Sequence, residues 1–106
     1  MKRRVVVSGV GMLTSVGIGT ETVWSALKKG ECGIGRITAF DPTAFACQIA
    51  GEVKGFDPGN YVEKREIKKM GRFIQFAIAA ADFATQSARL NVTPDFSERT
   101  DRKSVV

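Results

Sequence analysis

The apolar and polar positions at the start of the chain predict a strand followed by a packed loop. Residues 5–7 are a continuous run of valines, which is typical of a strand buried on both faces and places that strand over residues 4–8. Residues 9–19 mix glycines with apolar side chains. Glycine permits close backbone approach, and the apolar neighbours favour burial, so this loop is predicted to pack rather than to act as a free linker.

The next segment predicts an amphipathic helix over residues 21–29. Thr20 is placed to act as its N-cap, and Gly30 is placed to end it. An acidic residue in the first turn and two lysines in the last turn suit the helix dipole. The predicted apolar face consists of Val23, Trp24 and Leu27.

The second half of the chain predicts a short strand and a long helix. Residues 31–45 indicate an irregular connection, residues 46–53 a strand, and residues 54–60 a turn. Residues 63–69 predict a short helix or the entry to the next one, and residues 70–90 show the strongest helical periodicity. The apolar positions at helical spacing are Met70, Phe73, Ile74, Ala77, Ile78, Ala81 and Ala84. Aromatic side chains predicted to pack in the core are Trp24, Phe73, Phe76 and Phe83.

Length and composition indicate one small globular domain, and the buried strand that enters a glycine-rich loop is typical of an α/β protein. The chain has 106 residues, of which 43% are apolar and 25% are charged. No apolar run approaches the roughly 20 residues that span a bilayer, and the basic N-terminus lacks the apolar stretch of a signal peptide. We therefore expect a cytoplasmic protein without a membrane partner. The two cysteines suit a reducing compartment and have no metal-binding spacing.

The net charge of +5 is concentrated in part in a basic cluster over residues 64–69. If this segment is helical, Arg65, Lys68 and Lys69 have i, i+3 and i+4 spacing and share one face. Such a face fits an acidic partner, and the alternative is a solvated helix face that Glu63 and Glu66 partly neutralise. Nucleic acid is disfavoured as a partner because the cluster lacks interleaved aromatic residues and a known reading motif.

The sequence predicts no catalytic, cofactor-binding or metal-binding residue. The absence of histidine excludes a Ser-His-Asp triad, a Cys-His pair and histidine-ligated zinc within this chain. Cys32 and Cys47 begin no predicted helix, so both are interpreted as structural or incidental. The Gly9-Val10-Gly11 stretch resembles a dinucleotide-binding loop only loosely. Thr14 occupies the third glycine position, and no helix starts close enough to hold a phosphate, which favours a buried structural loop.

The sequence contains a series of blocks in register along residues 3–99: 4–12, 16–17, 24–27, Gly30, 33–34, 40–41, 49–57, 68–70 and 72–77. Together these blocks resemble the N-terminal part of the β-ketoacyl-acyl-carrier-protein synthases. These condensing enzymes have the thiolase-like fold, and the elongating type II enzymes of bacterial fatty-acid synthesis are the most similar group. Ser8 replaces the more usual threonine, and the segment 86–90 lacks the usual glycine at the end of the helix.

The resemblance implies a five-layered α/β/α/β/α fold, of which this chain would supply the first part of the N-terminal half. It also implies a homodimer that takes acyl and malonyl groups from acyl carrier protein, without a cofactor, and condenses them. Arg65, Lys68 and Lys69 resemble the residues that receive the carrier protein. The alternatives are a polyketide-type or decarboxylase-like condensing domain and a stand-alone basic α/β binding module.

The family's catalytic cysteine and two histidines belong to later sequence, so this chain is expected to be an inactive fragment. Residues 1–100 are interpreted as a partial ketoacyl-synthase domain and residues 101–106 as an unrelated tail. That tail matches one reading frame of a common sequencing adapter, a hypothesis that the underlying nucleotides would test. Because strand 4–8 would lack neighbours, we also expect poor solubility or partial disorder.

Overall fold

The computed structural model describes residues 2–91, 93, 94 and 97. The described residues form two compact units. One unit comprises residues 12–56, and the other comprises residues 2–11 together with the described residues from 57 onward. The predicted tail at 101–106 lies outside the described residues.

In the first unit, the glycine-rich loop contains a small β-hairpin that the sequence pattern did not predict. Strand β1 (Leu13–Thr14) pairs antiparallel with strand β2 (Gly17–Ile18). The Thr14 hydroxyl closes the turn by accepting a hydrogen bond from the Val16 N–H at 3.2 Å. The loop is therefore packed, as predicted, and backbone pairing between β1 and β2 within the loop contributes to this packing.

Helix α1 (Thr20–Lys29) follows the hairpin and confirms the predicted helix. The predicted N-cap is wrong by one position: Gly19 is the N-cap, Thr20 is already helical, and no described side chain caps this end. Gly30 ends the helix in the left-handed conformation (φ 72°, ψ 26°), as predicted, because that conformation carries no Cβ penalty in glycine.

The predicted apolar face of α1 is only partly buried. Val23 is 2% exposed and Ala26 is 4% exposed, and these two residues form the buried side of the helix. Trp24 and Leu27 are 58% and 54% exposed, so the prediction that Trp24 packs in the core is wrong. Periodicity placed them near Val23, but the described chain supplies nothing large enough to cover them.

A second hairpin corrects the predicted connection and strand. Strand β3 (Ile34–Arg36) lies inside the segment that was predicted to be irregular. It pairs antiparallel with β4 (Ile49–Gly51), and Gly35 lies opposite Ala50. The predicted strand over 46–53 is therefore real but shorter, because β3 offers only three residues for pairing.

In the second unit, residues 9–11 lie against a long helix, and residues 4–8 do not form the predicted strand. Val5, Val6 and Val7 are 94%, 74% and 83% exposed, and none of the described strands pairs with residues 4–8. The prediction of a buried strand is thus wrong for this chain. A β-branched run indicates extended backbone, but it cannot supply the neighbouring strands that would bury it.

The rest of the second unit is helical. A short 3₁₀ helix (Pro58–Asn60) leads into α2 (Lys64–Ile67), which confirms the predicted short helix. The long helix α3 (Arg72–Ala88) confirms the strongest prediction, with ends that lie two residues inside the predicted bounds. Ala79 is fully buried on its inner face.

The aromatic side chains of α3 divide between packed and exposed positions. Phe83 packs edge-on against Tyr61, with ring centroids 5.5 Å apart. The Arg72 guanidinium lies 5.2 Å from the centroid of the Phe76 ring. Phe73 is 75% exposed, so the prediction that it belongs to a core is wrong for the described chain.

Helix α3 ends on a strained residue. Arg89 takes the left-handed conformation (φ 54°, ψ 36°) that a glycine would adopt more easily. The Arg89 and Leu90 N–H groups donate to the Gln86 and Thr85 carbonyls at 3.1 and 3.0 Å. The missing cap glycine noted in the sequence therefore leaves the cap geometry intact, but it places a side chain in an unfavourable conformation.

Replacing Arg89 by glycine is expected to raise the free energy of unfolding by about 1 kcal/mol, because it removes the left-handed penalty. Urea unfolding followed by circular dichroism at 222 nm measures this change. Arg89→Ala is the matched control, since alanine loses the side chain but keeps the penalty. An equal gain in both variants would contradict the argument.

Candidate functional site

The basic turn, defined here as residues 64–69, is helical over most of its length. Helix α2 supplies its first four residues, and Lys68 follows with helical backbone angles (φ −70°, ψ −17°). The Lys69 N–H donates to the Glu66 carbonyl at 3.0 Å, which continues the turn. The backbone therefore places Arg65 and Lys68 one turn apart, which is the geometry that the i, i+3 spacing requires.

The cations of the basic turn differ in how far their charges are neutralised. Arg65 Nε lies 2.9 Å from a Glu63 carboxylate oxygen and 3.8 Å from Glu66 Oε1, and Lys69 Nζ lies 3.6 Å from the same Glu66 atom. Within the described part of the chain, Lys68 forms no salt bridge, and it is exposed. Lys68 is thus the member of the predicted set with the most available charge. Sequence spacing alone did not distinguish it from Arg65 and Lys69.

Each of the two cysteines lies shortly before a strand of the second hairpin, Cys32 before β3 and Cys47 before β4. Cys32 and Cys47 are both exposed, and their thiols face the Ile34 and Ile49 carbonyls at 3.8 and 3.5 Å. Neither residue begins a helix, so neither has the dipole that activates a catalytic thiolate. The interpretation of both as structural or incidental stays a prediction.

The Gly9-Val10-Gly11 stretch lies directly against α3. A Cβ at Gly9 would overlap the Ala84 carbonyl oxygen and come within 2.6 Å of the Ala88 nitrogen. A Cβ at Gly11 would overlap the Ala80 carbonyl oxygen. These glycines serve close backbone packing against α3.

A carboxylate in the first unit fixes the loop after β3. Glu52 accepts hydrogen bonds at 3.0 Å from the Thr38 N–H, the Thr38 hydroxyl and the Ala39 N–H. These bonds, led by the one from the Thr38 N–H, lower the pKa of Glu52 below its ordinary value of 4.5, with a small further lowering from the Lys54 charge.

The lowered pKa of Glu52 predicts an acid-dependent loosening of this loop. A carboxyl whose folded pKa is depressed contributes stability above its unfolded pKa and loses it as the pH falls through the folded value, so the window lies below pH 4.5. The Thr38 and Ala39 amide proton shifts should titrate in that window, and Glu52→Gln should abolish the titration. Glu31→Gln, which removes an exposed carboxylate elsewhere, should leave it unchanged; persistence of the titration in Glu52→Gln would refute the assignment.

Among the described residues, no cluster of histidine, cysteine and carboxylate side chains is placed to hold a metal ion. The helices that the structure describes include none long and apolar enough to cross a membrane.

Comparison with models of protein families shows that residues 2–102 match the N-terminal domain of β-ketoacyl synthases. The chain belongs to the β-ketoacyl synthase family. This result confirms the resemblance that the sequence blocks indicated.

Curated relatives of this ketoacyl-synthase domain are named 3-oxoacyl-[acyl-carrier-protein] synthase 2. The Vibrio cholerae serotype O1 protein is 46% identical over 98 residues, which covers 92% of this chain and 24% of the relative. The Synechocystis protein is 43% identical over 89 residues, which covers 84% of this chain and 21% of the relative. This chain thus spans about a quarter of the length of the curated relatives that it matches.

This chain is also similar in fold to a solved structure. The ishigamide ketosynthase/chain length factor superposes with a TM-score of 0.77 and 38% sequence identity, over 86% of this chain and 23% of that one. The predicted α/β class and thiolase-like fold are therefore confirmed for the portion of the fold that this ketoacyl-synthase chain contains.

Proposed function

We propose that this chain is the N-terminal portion of a 3-oxoacyl-acyl-carrier-protein synthase, which condenses malonyl- and acyl-carrier-protein thioesters in fatty-acid elongation. The observation that carries the proposal is the 46% identity to the Vibrio cholerae enzyme across 92% of the chain. The whole enzyme would work as a homodimer in the cytoplasm, without a cofactor, a nucleic-acid partner or a membrane partner.

The contribution of this chain to the reaction is to bind the carrier protein rather than to carry out the chemistry. The sequence has no histidine, and neither of its cysteines begins a described helix. We therefore propose that the 106-residue chain alone forms no carbon–carbon bond. Its exposed basic turn, with Arg65, Lys68 and Lys69, would receive an acidic acyl carrier protein.

A polyketide-type condensing domain is the second candidate. The 38% identity to a ketosynthase/chain length factor lies within the 36–46% range found for the 3-oxoacyl synthases. The same turn would then receive a carrier protein of that pathway.

Reversing the charge of Lys68 is expected to weaken binding of a bacterial acyl carrier protein about five- to thirtyfold at low salt, because this cation has no carboxylate partner in the described chain. Fluorescence anisotropy with labelled carrier protein measures the dissociation constant for the chain and for Lys68→Glu. The difference should shrink as salt rises toward 0.5 M, since screening weakens exposed charge pairs.

The matched control is Lys2→Glu, which changes the net charge equally at another exposed position of the same unit. If Lys2→Glu weakens binding as much as Lys68→Glu, the interaction follows net charge and the basic turn is not the docking site. Equal affinity for carrier protein and for a DNA duplex of the same charge would favour the basic binding module instead.

A further inference from the structure

The buried face of α3 carries a polar residue with no obvious reason to be there. Gln75 is 5% exposed and lies one helical turn before the fully buried Ala79, on the side of the helix that apolar residues would fill. Its Oε1 atom is buried and has no hydrogen-bond partner among the described residues. A buried acceptor without a partner destabilises a fold, so a methionine of similar shape would suit this position better on stability alone.

The amide group of Gln75 makes one directed contact, and that contact is with the basic turn. Its Nε2 donates to the Ile67 carbonyl oxygen at 3.3 Å, across the residues that join α2 to α3. This carbonyl belongs to the last turn of α2, where helix carbonyls lack i+4 partners, and its other donor among the described residues is the Met70 N–H at the long distance of 3.5 Å. Lys68 follows Ile67 directly.

Helix α2 depends on such a contact because it is too short to hold its own orientation. It has four residues, and none of the described side chains caps its N-terminus. Isolated helices of that length are unstable in water. Exposed ion pairs at Arg65 and Lys69 add little, since such pairs contribute about 0–1 kcal/mol.

We infer that Gln75 is a positioning residue that fixes the basic turn on α3 for docking of the carrier protein. This inference rests on the proposed function. By holding the Ile67 carbonyl, the amide orders the turn before the partner arrives and so lowers the entropy lost on binding. This positioning lowers the stability of the fold, because it leaves the buried Oε1 atom without a hydrogen-bond partner among the described residues.

The test compares the intact chain with Gln75→Met, Lys68→Glu and the double variant, by carrier-protein affinity and by thermal unfolding. Gln75→Met should weaken binding about three- to tenfold while the unfolding midpoint stays equal or rises, because it removes both the directed contact and the orphaned acceptor. In the Lys68→Glu background, Gln75→Met should add little, since both act through the same turn.

The outcomes separate the inference from the function on which it depends. An unchanged affinity in Gln75→Met, or a parallel loss of affinity and unfolding midpoint, overturns the positioning role. A Lys68→Glu variant that binds normally overturns the proposed docking surface instead. Should Gln75→Met fail to fold, Gln75→Leu repeats the comparison, and failure of both assigns Gln75 a purely structural role.

Discussion

Replacing Gly11 by alanine is expected to lower the free energy of unfolding by about 1–3 kcal/mol, as overpacked positions do. The new Cβ would overlap the Ala80 carbonyl oxygen and lie 2.6 Å from the Ala84 nitrogen and 2.9 Å from the Phe83 Cβ. Two of these atoms belong to the backbone of α3 and cannot rotate away. Urea unfolding followed by far-UV circular dichroism measures the change.

Gly35→Ala is the matched control for this prediction. A Cβ at Gly35 meets nothing within 4 Å, and neither glycine has a positive φ that would strain alanine. The control should therefore change stability by less than about 0.5 kcal/mol, as expected for a surface substitution. Equal losses in both variants would show that the close approach of Gly11 to α3 contributes nothing.

Replacing both Val5 and Val7 by lysine is expected to reduce self-association of the chain roughly a hundredfold, since burial of even two valines stabilises a contact by about 3 kcal/mol. These valines are 94% and 83% exposed, and none of the described strands pairs with their segment. Such a segment pairs readily with a second copy. Sedimentation velocity at rising concentration measures the effect.

The control for the valine variant is a chain with Trp24→Lys and Leu27→Lys. It removes two exposed apolar side chains and adds the same charge, but on α1, where the helix already satisfies the backbone hydrogen bonds. Association should remain close to that of the unchanged chain. If the control is equally effective, general surface apolarity drives association, and the open backbone at residues 4–8 does not.

The helices could be predicted from this sequence because helical periodicity and capping residues are local features of the chain. The 3.6-residue period located α3 within two residues at each end, and Gly30 marked the end of α1. Strands were harder, because pairing depends on partners that a period does not reveal. The valine run was predicted to be a buried strand, yet nothing in the described chain pairs with it. Strand β3 was not predicted, because Gly35 in its centre interrupts the run of strand-forming residues.

The candidate site was likewise predicted in part from the sequence and in part only from the structure. Sequence spacing and family resemblance selected the basic turn, but they treated its cations alike. Only geometry shows that Glu63 and Glu66 pair with Arg65 and Lys69 and leave Lys68 available. Gln75 was missed, although a polar residue one turn before Ala79 on an apolar helix face was a signal that the sequence contained.

The division of the chain into units has a consequence for biosynthesis. Residues 12–56 are contiguous, so that unit has all its segments available early during translation, whereas the other unit joins segments from both sides of it. The Val10 N–H and the Ser87 hydroxyl that it contacts are 77 positions apart. Because α3 is translated after residues 12–56, the Gly9–Gly11 segment has no helix to pack against until α3 has been made. The neighbouring valines stay exposed even after α3 forms, so they offer a chaperone an apolar segment throughout synthesis.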